Sequence, residues 1–304
     1  MTHFTAEDLM FRPGLMKGQR VLITGGGTGL GKVMAEACLM LGADVYIWGR
    51  RGAVIEAAAN ELNEAHGDAG GRCVGQACDI RVPEAIHEAM DEIWSGGALT
   101  GLVNNAAGNF ISRTEDLTPK GFDAIANIVF RGSFFVTLDA GKRWLAEGKP
   151  ASVVSILTTW VWHGGPFTVP SAMSKAGLNV MTQSLAVEWG NRGVRFNAIA
   201  PGPFPTEGMS ARLDPGGGGL AEDKDPMIPL GRNGEMRELA NLAVYLLHPL
   251  SAYVNGQTIA IDGGAHLQGG GGFARLASWG DAEWEAARNA IRSTNEKDRA
   301  QRTV

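Results

Sequence analysis

The chain has 304 residues, 44% hydrophobic and 19% charged, with 43 glycines and a net charge of −5, which fits one large core and a soluble α/β enzyme rather than a fibre or a disordered chain. An acidic balance without a Lys/Arg run argues against nucleic acid or an anionic membrane as partner, because both require a concentrated basic face. No apolar stretch reads as transmembrane, and residues 1–19 carry Glu7, Asp8 and Pro13 without an apolar segment, so neither membrane span nor signal peptide is expected and the location is read as cytoplasmic.

In chain order, Val21-Leu22-Ile23-Thr24 runs into Gly25-Gly26-Gly27-Thr28-Gly29-Leu30-Gly31 and continues as the helix-forming Val33 to Met40. This is strand, turn and helix. Glycines there remove the Cβ atoms that would block a tight turn, so backbone N–H groups and the positive helix end can face a pyrophosphate. Gly25, Gly27, Thr28, Gly29, Leu30 and Gly31 are therefore the candidate dinucleotide cradle.

Asp44 to Trp48 is a second strand, followed by Gly49-Arg50-Arg51. A carboxylate about 20 residues past the glycines would receive ribose hydroxyls; guanidinium groups there bind a 2′-phosphate, so Arg50 and Arg51 favour NADP(H). Ala53 to Glu64 is helical, and Cys73 to Cys78 is the third strand. Cys73 and Cys78 sit an odd number of positions apart and point to opposite faces, so neither a disulfide framework nor a metal site is expected. Asp79 and Ile80, at the strand end, are candidates for the adenine amino group and ring face.

Pro83 to Trp94 is a helix begun by proline, and Gly101 to Val103 a strand leading to Asn104-Asn105-Ala106-Ala107-Gly108. The βα alternation predicts a single Rossmann-type, doubly wound parallel sheet of about seven strands with helices on both faces, binding its ligand at the carboxyl strand ends, where Asn105, Ala106 and Ala107 fall. Further on, Ser171 and Lys175 are four apart and share a helix face, Ser171 toward substrate and Lys175 toward the nicotinamide ribose. Met181 to Trp189 is apolar on more than one side, as if covered by another subunit. Arg195 to Ala200 is a strand, and Pro201-Gly202-Pro203-Phe204 turns over the nicotinamide. Residues 205–228 hold Gly216 to Gly219, which suits a lid or a surface loop. Residues 265–304 form a tail with a helix carrying Trp284, Ala287 and Ile291. With an N-terminal extension, residues 1–18, the whole chain reads as one domain.

Thr24-Gly25…Gly31, Asn104 to Gly108, Ser174-Lys175, Pro201-Gly202-Pro203 and Asp262-Gly263-Gly264 together resemble the short-chain dehydrogenase/reductase family. Asn105 to Ser112, Val169-Pro170-Ser171-Ala172…Lys175, Thr206-Glu207-Gly208 and Ala211 to Pro215 resemble its mitochondrial-type 2,4-dienoyl-CoA reductases. That resemblance implies NADPH-dependent reduction of a dienoyl thioester in fatty acid β-oxidation, an acyl-CoA substrate and a homotetramer. It places Asn109 and Trp160 among the catalytic positions with Ser171 and Lys175, sets Arg81 and Arg212 against CoA phosphates, and sets Phe110 and Thr118 against the acyl and pantetheine portions.

The departures matter. The family carries Tyr-x-x-x-Lys, a Ser thirteen residues before the Tyr and an Asn on an earlier helix; here those positions hold Ser171, Lys175, Thr158 and Val129. The tyrosine of the dienoyl reductases, fifteen residues before the lysine, is Trp160. An indole N–H donates a hydrogen bond but does not release its proton as a phenol does. Either Trp160 is a donor-only replacement, or it fills the pocket while Thr158, Thr159, Ser171 or His163 serves. The alternatives are a carbonyl or steroid-type reductase, which would need an acid where Ser171 stands, and a silent NADP(H)- or acyl-CoA-binding member.

Overall fold

A computed structural model describes residues 3–206, 228–268, 276 and 278–300. Arg212, nearly all of the proposed lid and the second glycine run lie outside the described residues. Seven parallel strands form one sheet: β1 (Arg20–Thr24), β2 (Asp44–Gly49), β3 (Cys73–Ala77), β4 (Gly101–Asn104), β5 (Ala151–Ile156), β6 (Val194–Pro201) and β7 (Thr258–Ile261), in the order β3-β2-β1-β4-β5-β6-β7. The chain winds outward from β1 to β3, crosses back to β4, and winds out the other way, leaving a crevice between the carboxyl ends of β1 and β4.

Both sheet faces are covered, so strand residues are apolar throughout rather than alternating. Val21 and Ile23 enter the core formed with α1 (Gly29–Met40), α2 (Gly52–His66) and the helix Met236–Leu247. Leu22, pointing the other way, joins the core with α3 (Pro83–Ser95) and the long helix described next. Cys38 and Cys73 lie in the first core and Cys78 in the second; all three are free, with burial pushing each thiol up to about 12.

That long helix runs through α4 (Pro119–Ala126), one π-helical turn (Asn127–Gly132) and α5 (Ser133–Glu147). By length and composition Pro119–Glu147 could cross a bilayer, contrary to the sequence reading. In the fold its apolar residues Val129, Val136, Ala140 and Trp144 are core, and the Trp144 indole donates to the Leu99 carbonyl at 2.7 Å. After the short α6 (Trp160–His163), α7 spans Val169–Glu188 in one piece. The expected helix at Met181 is its second half, because Gly177 is a notch for the Phe130 ring and not a stop. Val180 and Val187 on α7 are left exposed.

Residues 3–18 pack on this body. Met16 is fully buried, and Asn241 receives the Met10 N–H while donating to the Asp8 carbonyl, both at 2.9 Å. The tail forms the helix Asp281–Ala300, with Trp284 and Ile291 exposed and Trp279 edge-on to Trp284.

Candidate active site

Thr24, at the end of β1, organises the crevice. Its hydroxyl receives the N–H groups of Asn105 (3.1 Å) and Ala106 (3.0 Å), while the Asn105 carboxamide donates to the carbonyls of Thr24 (2.9 Å) and Gly25 (3.2 Å). The two turns therefore approach too closely for side chains. Gly25 has φ +66°, and a Cβ on Gly31 would lie 2.3 Å from the Gly25 carbonyl oxygen.

Beside this lacing opens a cleft of about 390 Å³, and its lining includes Gly25, Gly27, Thr28, Arg50, Arg51, Asp79, Ile80, Ala106 and Ala107. Backbone cradle, apolar wall and cationic rim are thus brought together as a dinucleotide with an extra phosphate requires. Arg50 and Arg51 are exposed and make no ion pair among the described residues. Gly29, Leu30 and Gly31 open α1 beside the cleft, and Leu30 packs against the core.

Asp79 does not present a free carboxylate. The Arg81 side chain folds back on it, Nε at 2.9 and 3.0 Å and Nη2 at 2.5 Å, and this hydrogen bonding first of all holds the Asp79 carboxyl below its usual range. Arg81, expected on a CoA phosphate, is tied to the adenine end of the crevice, where Arg131 also holds its carbonyl at 2.7 Å. Thr118 is the N-cap of α4, its hydroxyl accepting the Gly121 N–H at 3.1 Å. Phe204 is buried, with its ring against Gly234, so its side chain belongs to the core. The preceding Pro201, Gly202 and Pro203 do turn at the end of β6, and Gly202 donates to the Ile261 carbonyl at 3.0 Å.

The reacting end is built by α6, α7 and the loop after β4. Pro170 opens α7, placing Ser171 and Lys175 on one buried face. The Lys175 ammonium donates to the carbonyl of Ile156, and burial pushes it down to about 8. Ser171 makes no side-chain hydrogen bond among the described residues, whereas neighbouring Ser174 donates to the Pro170 carbonyl at 2.7 Å. Asn109 accepts the Phe110 N–H through Oδ1 at 2.9 Å, which leaves its two Nδ2–H bonds to donate.

Trp160 starts α6, half-buried, with its ring against Gly165; its indole N–H has no partner among the described residues. Phe110 packs over Gly121 beside the small core of Ile125, Val129 and Leu157. Val129, where the family carries Asn, is fully buried within the π turn. His163 is exposed, and among the described residues its ring is bonded only to the adjacent Gly164 carbonyl.

Other features were not visible in the pattern. Phe167, a non-glycine residue at φ +62°, projects into solvent while its carbonyl accepts the Ser112 N–H at 2.9 Å. Trp162 stacks on His266 with ring centroids 4.8 Å apart, and His266 bonds Asp262 at 2.7 Å, joining α6 to the loop after β7. Only the string Asp262-Gly263-Gly264 marked this region in the sequence.

Residues 25–266 match the model of a family described as enoyl-(acyl carrier protein) reductase. A solved short-chain dehydrogenase from Bacillus anthracis is 38% identical with a TM-score of 0.73, covering 83% of this chain and 98% of that one. The chain belongs to the short-chain dehydrogenase/reductase family. Among short-chain relatives, a peroxisomal 2,4-dienoyl-CoA reductase of Danio rerio, (3E)-enoyl-CoA-producing, is 36% identical over 271 residues, 88% of each chain. An uncharacterized oxidoreductase of Caenorhabditis elegans is 41% identical over 300 residues, 96% of this chain and 94% of the other. The short-chain fold thus carries a glycine-lined cleft and a buried lysine, Lys175, with Ser171 on the same helix face.

Proposed function

We propose that this oxidoreductase uses NADP(H) to reduce a 2,4-dienoyl-CoA thioester to an enoyl-CoA. One observation carries the reading. The side chains that the resemblance assigns to the reacting end are hydrogen-bond donors rather than phenols: the amide of Asn109, the indole of Trp160 at the start of α6 and the hydroxyl of Ser171, which shares the buried face of α7 with Lys175. The three tyrosines stand elsewhere, Tyr46 in β2 under the Arg20 guanidinium, Tyr245 in the helix Met236–Leu247, and Tyr253 fully exposed in the loop after it.

Bound NADPH would supply the hydride. Arg50 and Arg51 would hold the 2′-phosphate, the Gly25 to Gly31 turn the pyrophosphate, and Lys175 the nicotinamide ribose. Addition at the far end of the diene drives charge onto the thioester oxygen, so this site has to stabilise a dienolate. Preorganised donors do that without giving up a proton, and a proton from water completes the reaction at carbon. A ketone reductase of this family uses a phenol as the acid at the alkoxide instead, and none of the three tyrosines lies on α6, α7 or the loop after β4. The dienoyl-CoA reductase of Danio rerio supports the same substrate class.

The test is to follow NADPH absorbance with purified protein against a dienoyl-CoA, an enoyl-CoA and a β-ketoacyl-CoA. Oxidation with the dienoyl-CoA alone is expected. Preferential turnover of the β-ketoacyl-CoA, or of none, would overturn the assignment.

A further inference from the structure

Glu36 has a carboxylate in an apolar place. It lies in α1 and is 6% exposed, on a helix whose residues from Val33 to Leu39 are all buried. A charge so buried requires compensation. Oε1 is met by Nδ1 of His3 at 2.8 Å, by Nε2 of His66 at 2.9 Å and by the Phe4 N–H at 2.9 Å. The two imidazoles are nearly perpendicular, 85° with centroids 5.6 Å apart, and the three donor atoms all lie within 4.8 Å of one another. His3 comes from the N-terminal segment and His66 from the end of α2, so three separate elements converge.

Two neutral imidazoles and a carboxylate form a donor set for Zn²⁺ and related first-row ions. Tetrahedral coordination at ~2.0–2.1 Å puts ligand atoms about 3.3 Å apart, and the two imidazole nitrogens already lie 2.8 and 2.9 Å from the carboxylate oxygen, with all three atoms within 4.8 Å of one another. A second feature fits a metal better than a simple hydrogen-bond cluster. The other nitrogen of His3, Nε2, faces Glu61 Oε1 at 3.5 Å, and Lys32 holds Glu61 at 2.6 Å; a carboxylate behind the imidazole is the usual arrangement that orients a metal-bound histidine. His66 is largely enclosed, while His3 is open enough to admit an ion and leave a coordination position for water.

We infer that His3, Glu36 and His66 form a divalent transition-metal site of the zinc class, which clasps the N-terminal segment to α1 and α2. Without metal, each imidazole gives its N–H to Glu36. On binding, His3 carries its proton on Nε2 toward Glu61 and His66 carries its own on Nδ1. Both stay neutral, Glu36 stays ionised, and the ion exchanges water for three protein ligands. None of the three residues lines the cofactor cleft, so the site is structural.

The experiment uses the full chain, stripped with chelator and titrated with Co²⁺ and then Zn²⁺. One Co²⁺ per chain with the visible absorption of a four-coordinate ion is expected, displaced by Zn²⁺, together with a thermal midpoint that rises with Zn²⁺ concentration. Glu36→Gln, which keeps an oxygen acceptor for the N–H donors, and His66→Asn should each weaken binding at least ~100-fold. Glu61→Gln should weaken it ~10–100-fold through His3. NADPH affinity should stay the same in every form. Absence of stoichiometric Co²⁺ in the parent would overturn the site even if a variant fails to fold, as would equal affinity in parent and Glu36→Gln.

Discussion

The ammonium of Lys175 donates to the carbonyl oxygen of Ile156, fastening the middle of α7 to the last residue of β5. Burial holds this lysine at about 8, down from 10.5. Between those values the unfolded chain binds more protons than the native one, so this residue makes stability rise with pH in that window, and the penalty for burying its charge is fully present below pH 8. Lys175→Met should therefore gain stability over the parent mainly below pH 8, by at most about 3 kcal/mol, with the gain fading toward pH 10.5. Urea unfolding of both proteins across that range checks it, and a pH-independent difference would show that the lysine titrates alike in the native and unfolded chains. Catalysis should behave oppositely, with kcat/KM falling above about pH 8 as the ammonium is lost.

Cofactor choice should follow the exposed guanidinium groups on the cleft rim. Losing one charge-assisted contact removes ~1.5–3 kcal/mol, so Arg50→Ala should bind NADPH about tenfold or more weakly while leaving NADH unchanged. Equal Kd values of the parent for the two cofactors would remove the basis of this expectation.

Because Arg81 is paired with Asp79, Arg81→Ala should raise KM for NADPH and leave KM for acyl-CoA unaltered. Steady-state kinetics with each substrate varied in turn separates the two. A rise confined to acyl-CoA would return Arg81 to the role its sequence position implied.

At the reacting end, Asn109→Ala should lower kcat by ~10²-fold or more, since one oxyanion donor is worth roughly 2.7–4 kcal/mol. Trp160→Phe, which deletes the N–H and keeps the ring, should give a comparable loss, while Trp160→Tyr should keep or raise activity. Full activity in Trp160→Phe beside an inactive Ser171→Ala would make the indole a filler and the hydroxyl the donor.

Gly31→Ala would set a methyl 2.3 Å from the Gly25 carbonyl oxygen and 2.5 Å from Asn105 Nδ2. Neither neighbour is free to retreat, because Asn105 is itself bonded to Thr24 and Gly25. Destabilisation of ~1–3 kcal/mol and loss of NADPH binding are expected; an unchanged thermal midpoint with normal binding would show that the lacing of β1 to β4 is loose.

The sheet, the cradle and the cationic rim were legible in the chain because each is written in neighbouring residues: apolar runs that fit strands buried on both sides, glycines where a turn meets a helix, arginines directly after β2. Lys175 and Ser171 were legible for the same reason, being one helical turn apart. Side-chain partners were another matter. That Arg81 turns back on Asp79, that Thr118 caps a helix, that Phe204 points inward and that Pro119–Glu147 lies along the sheet all depend on geometry the linear pattern leaves open. His3, Glu36 and His66 show this most plainly, since they lie some thirty residues apart and on three elements. Local spacing and backbone sterics determine what a segment becomes; only the packing of α1 against α2 and the N-terminal segment decides which polar groups meet, because the burial of a charge is settled by neighbours remote in the chain.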